Sequence, residues 1–135
     1  MQKLSKKKGV HHVFFADDLG IASIFPILKS RLAKTKRQQI SLFYRSLNNQ
    51  YAFKRELKIL QKYFPAKLFI SCHSPEFSGH CAFEQEDIEA VLNANVMQEM
   101  SFTISGNESF VQAVKGSLTF LGIENVQIQE QYFSE

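Results

Sequence analysis

Short runs of strand-forming residues alternate with amphipathic helical segments along almost the whole chain of 135 residues. The first run, residues 13–16, is followed at residues 20–33 by apolar side chains at the three- and four-residue spacing of a helix. Strands that alternate with helices need crossover connections, which place the strands parallel and the helices on both faces of the sheet. The pattern therefore predicts a doubly wound α/β domain with a five-stranded, mainly parallel sheet.

The remaining segments continue this order. Strands are predicted at residues 40–44, 67–71, 101–105 and 125–133, and helices at residues 51–64, 86–95 and 107–122. Pro65 is expected to end the second helix, and Gly122 suits the C-terminal cap of the fourth. Much of the phenylalanine content is assigned to core faces, at Phe14, Phe15, Phe25, Phe43, Phe53, Phe64 and Phe69.

The composition excludes several classes of protein. With 44% hydrophobic and 21% charged residues and a net charge of +3, the chain resembles an ordinary globular domain rather than a disordered one. No apolar run reaches the roughly 20 residues that cross a bilayer, and no secretory signal is evident, so a cytoplasmic location is expected. The basic runs at residues 6–8 and 34–37 are interpreted as solvated charges, and no nucleic-acid partner is expected.

The predicted topology decides where a binding site would lie. In open parallel sheets, ligands bind beyond the carboxyl ends of the strands, where helix N-termini present unpaired N–H groups. The segments at this edge are residues 17–22, 45–49, 72–76 and 105–109, together with Tyr132 and Phe133. The first of these contains one glycine, Gly20, so the three-glycine dinucleotide fingerprint is absent.

Five segments taken in order resemble a known family. They are HHVFFADDLGIASIFPILK, ISLFYRSLNNQYAFKREL, FSGHCAFEQEDIEAVL, SFTISGNESFVQAVKGSLTFLGI and QEQYF. Together they resemble the NAD(P)-binding domain of the ferredoxin–NADP reductase family of flavin-dependent oxidoreductases. The resemblance implies a basic lead segment at residues 1–9 and an NAD(P)-binding domain at residues 10–135.

The resemblance also implies a division of chemistry between domains. This domain would hold NADPH or NADH, and a β-barrel domain of the same protein or of another chain would hold FAD or FMN. Hydride would pass to the flavin, and electrons would go on to an iron–sulfur protein such as ferredoxin, to flavodoxin or to a similar acceptor. The chain alone, without a flavin domain, would be inactive.

Residue roles follow from the same resemblance. Ser105, in the place of a family cysteine, would be the catalytic residue beside the nicotinamide. Residues implied to contact the cofactor are Asp17, Asp18, Gly20, Ile21, Ala22, Arg45, Ser46, Ser105, Gly106, Asn107, Phe110, Tyr132 and Phe133. No metal ligand is implied.

Asp17 and Asp18 define the alternative function. They stand where the family has glycines that admit the diphosphate, and carboxylates repel phosphate. A domain of the same fold that no longer binds dinucleotide, and serves as an interaction or structural module, is therefore the second hypothesis. Side chains that turn outward favour the reductase, whereas side chains that fill the crevice favour the second hypothesis.

Two other interpretations are weaker. A response-regulator receiver would need an aspartate after the third strand and a lysine after the fifth, and neither is present. The segment CHSPEFSGHC holds Cys72, His73, His80 and Cys81, but adjacent ligands suit a zinc ion poorly, and a buried thiol with loop histidines is favoured. His11 and His12 are expected at the surface, ahead of the first strand.

Overall fold

The computed structural model describes residues 10–34, 39–46, 50–73, 85–94 and 99–134. These residues form five strands, four α-helices and one short 3₁₀ helix at Asn125–Gln127. The strands are β1 (Val10–Ala16), β2 (Gln39–Arg45), β3 (Leu68–His73), β4 (Glu99–Gly106) and β5 (Ile128–Tyr132). The helices are α1 (Ile21–Lys34), α2 (Lys54–Tyr63), α3 (Gln85–Ala94) and α4 (Glu108–Phe120).

The five strands form one sheet in the order β3-β2-β1-β4-β5, and every neighbouring pair is parallel. The predicted doubly wound α/β fold is therefore confirmed. The chain leaves β1 toward β2 on one side and returns to β4 on the other, so the strand order reverses between β1 and β4. Ala16 at the end of β1 pairs with Ser105 of β4 at this switch point.

Helices cover both faces of the central strand. Phe14 and Ala16 pack with α1 and α2 on one face, and Val13 and Phe15 pack with α3 and α4 on the other. Phe15 also stacks on Phe43 of β2, with ring centroids 4.9 Å apart. Because both faces of β1 are covered, its second half, residues 13–16, is a continuous apolar run rather than an alternating one.

The strand β1 begins earlier than predicted and buries two histidines. The expectation that His11 and His12 lie at the surface is wrong, since they are only 2% and 7% exposed. The physical reason lies in the neighbouring strands: His11 Nε2 is 2.8 Å from Ser41 Oγ of β2, and His12 Nδ1 is 2.8 Å from Ser101 Oγ of β4. Hydroxyl partners allow these imidazoles to be buried inside a sheet.

The outer strands differ from the prediction in three places. Phe69 is 44% exposed rather than core, because β3 is an edge strand and the described residues leave this side of it open. Cys72, expected to be buried, is exposed at the end of the same strand. Residues 125–127, assigned to the last strand, form the 3₁₀ helix instead.

The end of α4 is as predicted. Gly122 has a φ of 96° and follows the cap residue Leu121 of α4, as its sequence position suggested.

Two other expectations concern metal binding and membranes. Cys81 and His80 of the considered zinc segment lie outside the described residues. Within the described residues, no three metal-ligating side chains come together, and no helix is long and apolar enough to span a bilayer.

Candidate functional site

Two loops meet at the carboxyl edge of the sheet, at the switch point. The β1–α1 loop starts at Asp17, and the β4–α4 loop centres on Asn107. The backbone N–H of Asp17 donates to the carbonyl of Ser105, 3.3 Å away. The hydroxyl of Ser105 in turn donates to the carbonyl of Gly20 at 3.4 Å. The two loops are therefore packed against each other.

The carboxylate of Asp17 lies between these loops. Its Oδ1 accepts from the backbone N–H groups of Leu19 and Gly20, each at 2.9 Å, as an N-terminal cap of α1 does. Its Oδ2 accepts from the backbone N–H of Asn107 at 3.0 Å. The residue is only 6% exposed. One buried carboxylate thus holds the β1–α1 loop against the loop that precedes α4.

Two glycines make this close packing possible. A β-carbon at Gly20 would stand 1.9 Å from the carbonyl oxygen of Ser105, which is backbone and cannot rotate away. A β-carbon at Gly106 would stand 2.5 Å from the carboxylate of Asp17. The lack of a side chain at the two glycines therefore lets the carbonyl of Ser105 and the carboxylate of Asp17 pack into the crevice.

The helix α4 is also capped by its own chain. The Oδ1 of Asn107 accepts from the backbone N–H of Phe110 at 2.8 Å and from the hydroxyl of Ser109 at 3.0 Å. Phe110 and Ile21, two hydrophobic members of the predicted contact set, are buried in the cores on opposite faces of the sheet.

The end of β2 forms a second part of this edge. Ser46 is fully buried, and its hydroxyl donates to the carbonyl of Gln50 at 3.0 Å. The hydroxyl of Tyr44 accepts from the backbone N–H of Ala52 at 2.9 Å. Burial raises the pKa of Tyr44 to about 12, although that N–H acts in the opposite direction. Arg45, half-buried, lies between these two anchoring residues.

The C-terminal strand brings aromatic side chains to the same edge. The backbone N–H of Phe133 donates to the carbonyl of Gly106 at 2.8 Å. Tyr132 and Phe133 are 47% and 37% exposed, and with Glu108 and Ser134 they line a hollow of about 370 Å³. A side-chain hydrogen bond joins β5 to α1, since Ser23 Oγ donates to Gln131 Oε1 at 2.8 Å.

A network of charges surrounds Tyr132. Its hydroxyl donates to the carboxylate of Glu130 and accepts from Gln112 Nε2 at 3.0 Å. Lys115 Nζ lies 2.8 Å from Glu130 Oε2. Hydrogen bonds from Lys115 and Tyr132 lower the pKa of Glu130, and the bond to Glu130 raises the pKa of Tyr132.

The predicted contact residues divide into two groups. An exposed or half-buried group forms the rim of the edge, and a buried group forms its floor. The rim consists of Asp18, Ala22, Arg45, Asn107, Tyr132 and Phe133, and the floor of Asp17, Gly20, Ile21, Ser46, Ser105, Gly106 and Phe110. Ser105 is fully buried, and its contact with a nicotinamide stays a prediction.

Sequence reasoning missed a cleft beside α2. It has a volume of about 230 Å³ and is lined in part by Tyr51, Lys54, Ile70 and Cys72. Although Cys72 is exposed as a residue, partial desolvation of its thiol in this cleft raises the thiol pKa, whereas Lys54 acts to lower it. Nothing in the sequence indicates that Tyr51 turns back onto Tyr44, with ring centroids 5.0 Å apart.

A diphosphate at the switch point does not fit this arrangement. The N–H groups of Leu19, Gly20 and Asn107 would suit phosphate oxygens, but the carboxylate of Asp17 already accepts from all three. Asp18 turns outward and is exposed. The two acids therefore behave differently: one fills the crevice and the other lies on the rim.

Comparison with solved structures identifies the fold. The chain superposes with a TM-score of 0.74 on the CS-b5R domains of human Ncb5or in its NAD+ form, at 15% identity over 96% of this chain and 39% of that one. Ferredoxin-NADP+ reductase from Plasmodium falciparum gives a TM-score of 0.71 at 18% identity, over 95% of this chain and 53% of that one. The chain has the fold of a ferredoxin–NADP reductase nucleotide-binding domain. The resemblance predicted from the sequence is confirmed at this level.

Sequence comparison agrees with the ferredoxin-reductase fold. Flavohemoprotein A of Dictyostelium discoideum is 27% identical over 116 residues, which are 85% of this chain. No family model matches the chain. The chain spans 28% of that curated relative, and 39% and 53% of the two solved chains. These proteins are therefore about two to three times the length of this chain.

Proposed function

We propose that this chain is the NAD(P)H-binding module of a flavin-dependent reductase. In this proposal it positions a nicotinamide for hydride transfer to FAD or FMN, which a β-barrel domain of the same protein or of another chain holds. Electrons would pass from the flavin domain to an iron–sulfur protein, flavodoxin or a similar acceptor. When bound, NAD(P)H supplies the hydride and is oxidised to NAD(P)+ while the flavin is reduced.

The observation that carries the proposal is the junction of β5 with the β4–α4 loop. The hydrogen bond from Phe133 N–H to the Gly106 carbonyl brings exposed aromatic rings beside Glu108, at the edge where the resemblance implies a nicotinamide. Aromatic rings at such an edge suit contact with the flat rings of a nicotinamide and a flavin.

The rim residues supply the remaining contacts of the proposed site. Arg45, at the end of β2, is suited to the adenosine ribose and to the additional 2′-phosphate of NADPH. Asp18, Ala22 and Asn107 would face the nucleotide from the other side of the switch point. The assignment of Ser105 as the catalytic residue is retained as a proposal, and it requires the packed loops to separate.

Calorimetric titration of the chain with NADPH and then with NADH tests the proposal. We expect a dissociation constant in the micromolar to low-millimolar range for at least one of them. Arg45→Met should weaken NADPH binding more than NADH binding, and Arg55→Met, an exposed arginine on α2, is the matched control. Absence of heat with both nucleotides in the wild type would contradict the proposal.

The buried carboxylate of Asp17 favours a second candidate function. The domain has the fold of a nucleotide-binding module, but the oxygens of the Asp17 carboxylate occupy the position in the crevice where a phosphate would bind. A chain of this kind would serve as an interaction or structural module that binds no dinucleotide. It is the conclusion if the wild type binds neither NADPH nor NADH, whether or not an Asp17 variant binds them.

A further inference from the structure

The carboxylate of Asp17 occupies a position with the properties of an anion site. Three backbone N–H groups converge on it, two from the β1–α1 loop just before α1 and one from the loop before α4. Converging N–H groups at helix N-termini bind phosphate, sulfate or carboxylate groups because they combine direct hydrogen bonds with the positive end of the helix dipole. Here the anion belongs to the protein.

We propose that Asp17 is a specificity-determining residue, whose carboxylate competes with the phosphates of any ligand at the switch point. The inference rests on the proposed function, because it concerns the same edge of the sheet. A diphosphate either displaces Asp17 from its three N–H groups or lies outside them, beside two carboxylates. A nucleoside without phosphate meets neither obstacle.

The surroundings of Asp17 leave no space for a second anion. The carboxylate is 6% exposed, and it lies so close to Gly106 that any side chain there would clash with it. Gly20 is similarly pressed against Ser105. Since backbone encloses the position on both sides, the phosphate of a ligand and the side chain of Asp17 cannot occupy it together.

The neighbouring acid Asp18 differs from Asp17 in this respect. It carries the same charge one residue further along the chain, but its side chain is exposed. It repels a phosphate through solvent, where the interaction is screened, and it does not take the place of one. Comparison of the two positions therefore separates occupation of the site from simple repulsion.

The test uses Asp17→Ser, Asp18→Ser and a remote control, Glu99→Gln, at the opposite edge of the sheet. Serine at position 17 keeps an N-terminal cap for α1 but is neutral and too short to reach Asn107. Inorganic pyrophosphate, NADPH and adenosine are titrated calorimetrically into each protein. We expect Asp17→Ser to strengthen binding of pyrophosphate and NADPH by about tenfold or more, because both occupation and charge repulsion are removed.

The other variants provide the comparison. Asp18→Ser should give a smaller gain and Glu99→Gln no change, while adenosine binding should be similar in all four proteins. Equal gains at positions 17 and 18, or no gain for pyrophosphate at position 17, would overturn the inference. If Asp17→Ser does not fold, as thermal unfolding would reveal, Asp17→Asn provides the neutral side chain of the same size.

Failure of the inference can be told apart from failure of the proposed function. If the wild type binds NADPH and Asp17→Ser binds it no better, the inference is wrong and the reductase proposal stands. If Asp17→Ser gains pyrophosphate but no protein binds NADPH or NADH, the inference stands and the domain is not a dinucleotide module.

Discussion

Gly106 lies directly against the carboxylate of Asp17, at a distance that excludes even a methyl group. We predict that Gly106→Ala pushes Asp17 away from its N–H partners and lowers the free energy of unfolding by about 2 kcal/mol or more. Chemical denaturation measures the loss. Gly116→Ala is the matched control, because nothing lies within 4 Å of its β-carbon and alanine suits a helix better by about 0.5–1 kcal/mol.

The same pair allows a double-mutant test. Asp17→Ser shortens the side chain that the added methyl group of Gly106→Ala would meet. The double variant should therefore lose less stability than the sum of the two single changes. Additive losses would show that the two residues are not in contact.

The buried histidines of β1 depend on serine hydroxyls of the neighbouring strands. Ser41→Ala and Ser101→Ala should each lower the free energy of unfolding by about 1–3 kcal/mol, because a buried imidazole loses a hydroxyl partner. Ser71→Ala, at an exposed position of the edge strand β3, should have little effect in the same denaturation experiment. Equal effects at all three positions would contradict this role for the hydroxyls.

Tyr44 should make the domain sensitive to alkali. Burial raises its pKa from 10.0 to about 12, so the folded state favours the protonated phenol. The contribution of the protonated Tyr44 phenol to the free energy of unfolding is complete below pH 10. It is lost as the pH rises toward about 12, where the phenol of the folded protein ionises. Denaturation curves between pH 9 and about 12 should show this fall. Tyr44→Phe should flatten it, whereas Tyr63→Phe, at an exposed position, should not.

Glu130 should titrate below the range of an ordinary carboxyl. Its hydrogen bonds with Lys115 and Tyr132 lower its pKa. Their contribution to stability is therefore present above the usual pKa of a carboxyl group and disappears as the pH falls through the lowered pKa of Glu130. NMR titration of the side-chain carboxyl measures it. Lys115→Gln should raise the pKa of Glu130, and Lys58→Gln on α2 should leave it unchanged. No change with Lys115→Gln would contradict the pairing.

The order of elements was predictable because the signals are local. The periodicity of apolar residues reports one helix or strand at a time, and the strand that contains Phe14 and Phe15 has both faces covered, which an unbroken apolar run indicates. His11 and His12 were missed because their polarity argues against burial, and the serines that accommodate them are 30 and 89 residues away. Phe69 was misassigned because its apolarity carries no information about which strand lies at the edge.

The position of the candidate site in the fold was predictable, but which of its side chains occupies the crevice was not. Parallel strands bring residues 17 and 107 to one edge, and the topology alone requires this. Which of two adjacent aspartates turns inward depends on the N–H of Asn107, a backbone group 90 residues further along the chain. An N-terminal cap at Asp17 is the one local signal available, since aspartate is favoured immediately before a helix.

The central position of β1 has a consequence for how the chain acquires its structure. One edge of β1 pairs with β2, which follows closely, but the other pairs with β4 from Val10↔Glu99 to Ala16↔Ser105. During synthesis the first half can assemble β3-β2-β1 while a row of backbone donors and acceptors on the most apolar strand waits for β4. Such an open, apolar strand edge is a template for pairing with another chain. Nascent chains lacking β4 should therefore be the species most prone to aggregate, and the ones most in need of a chaperone.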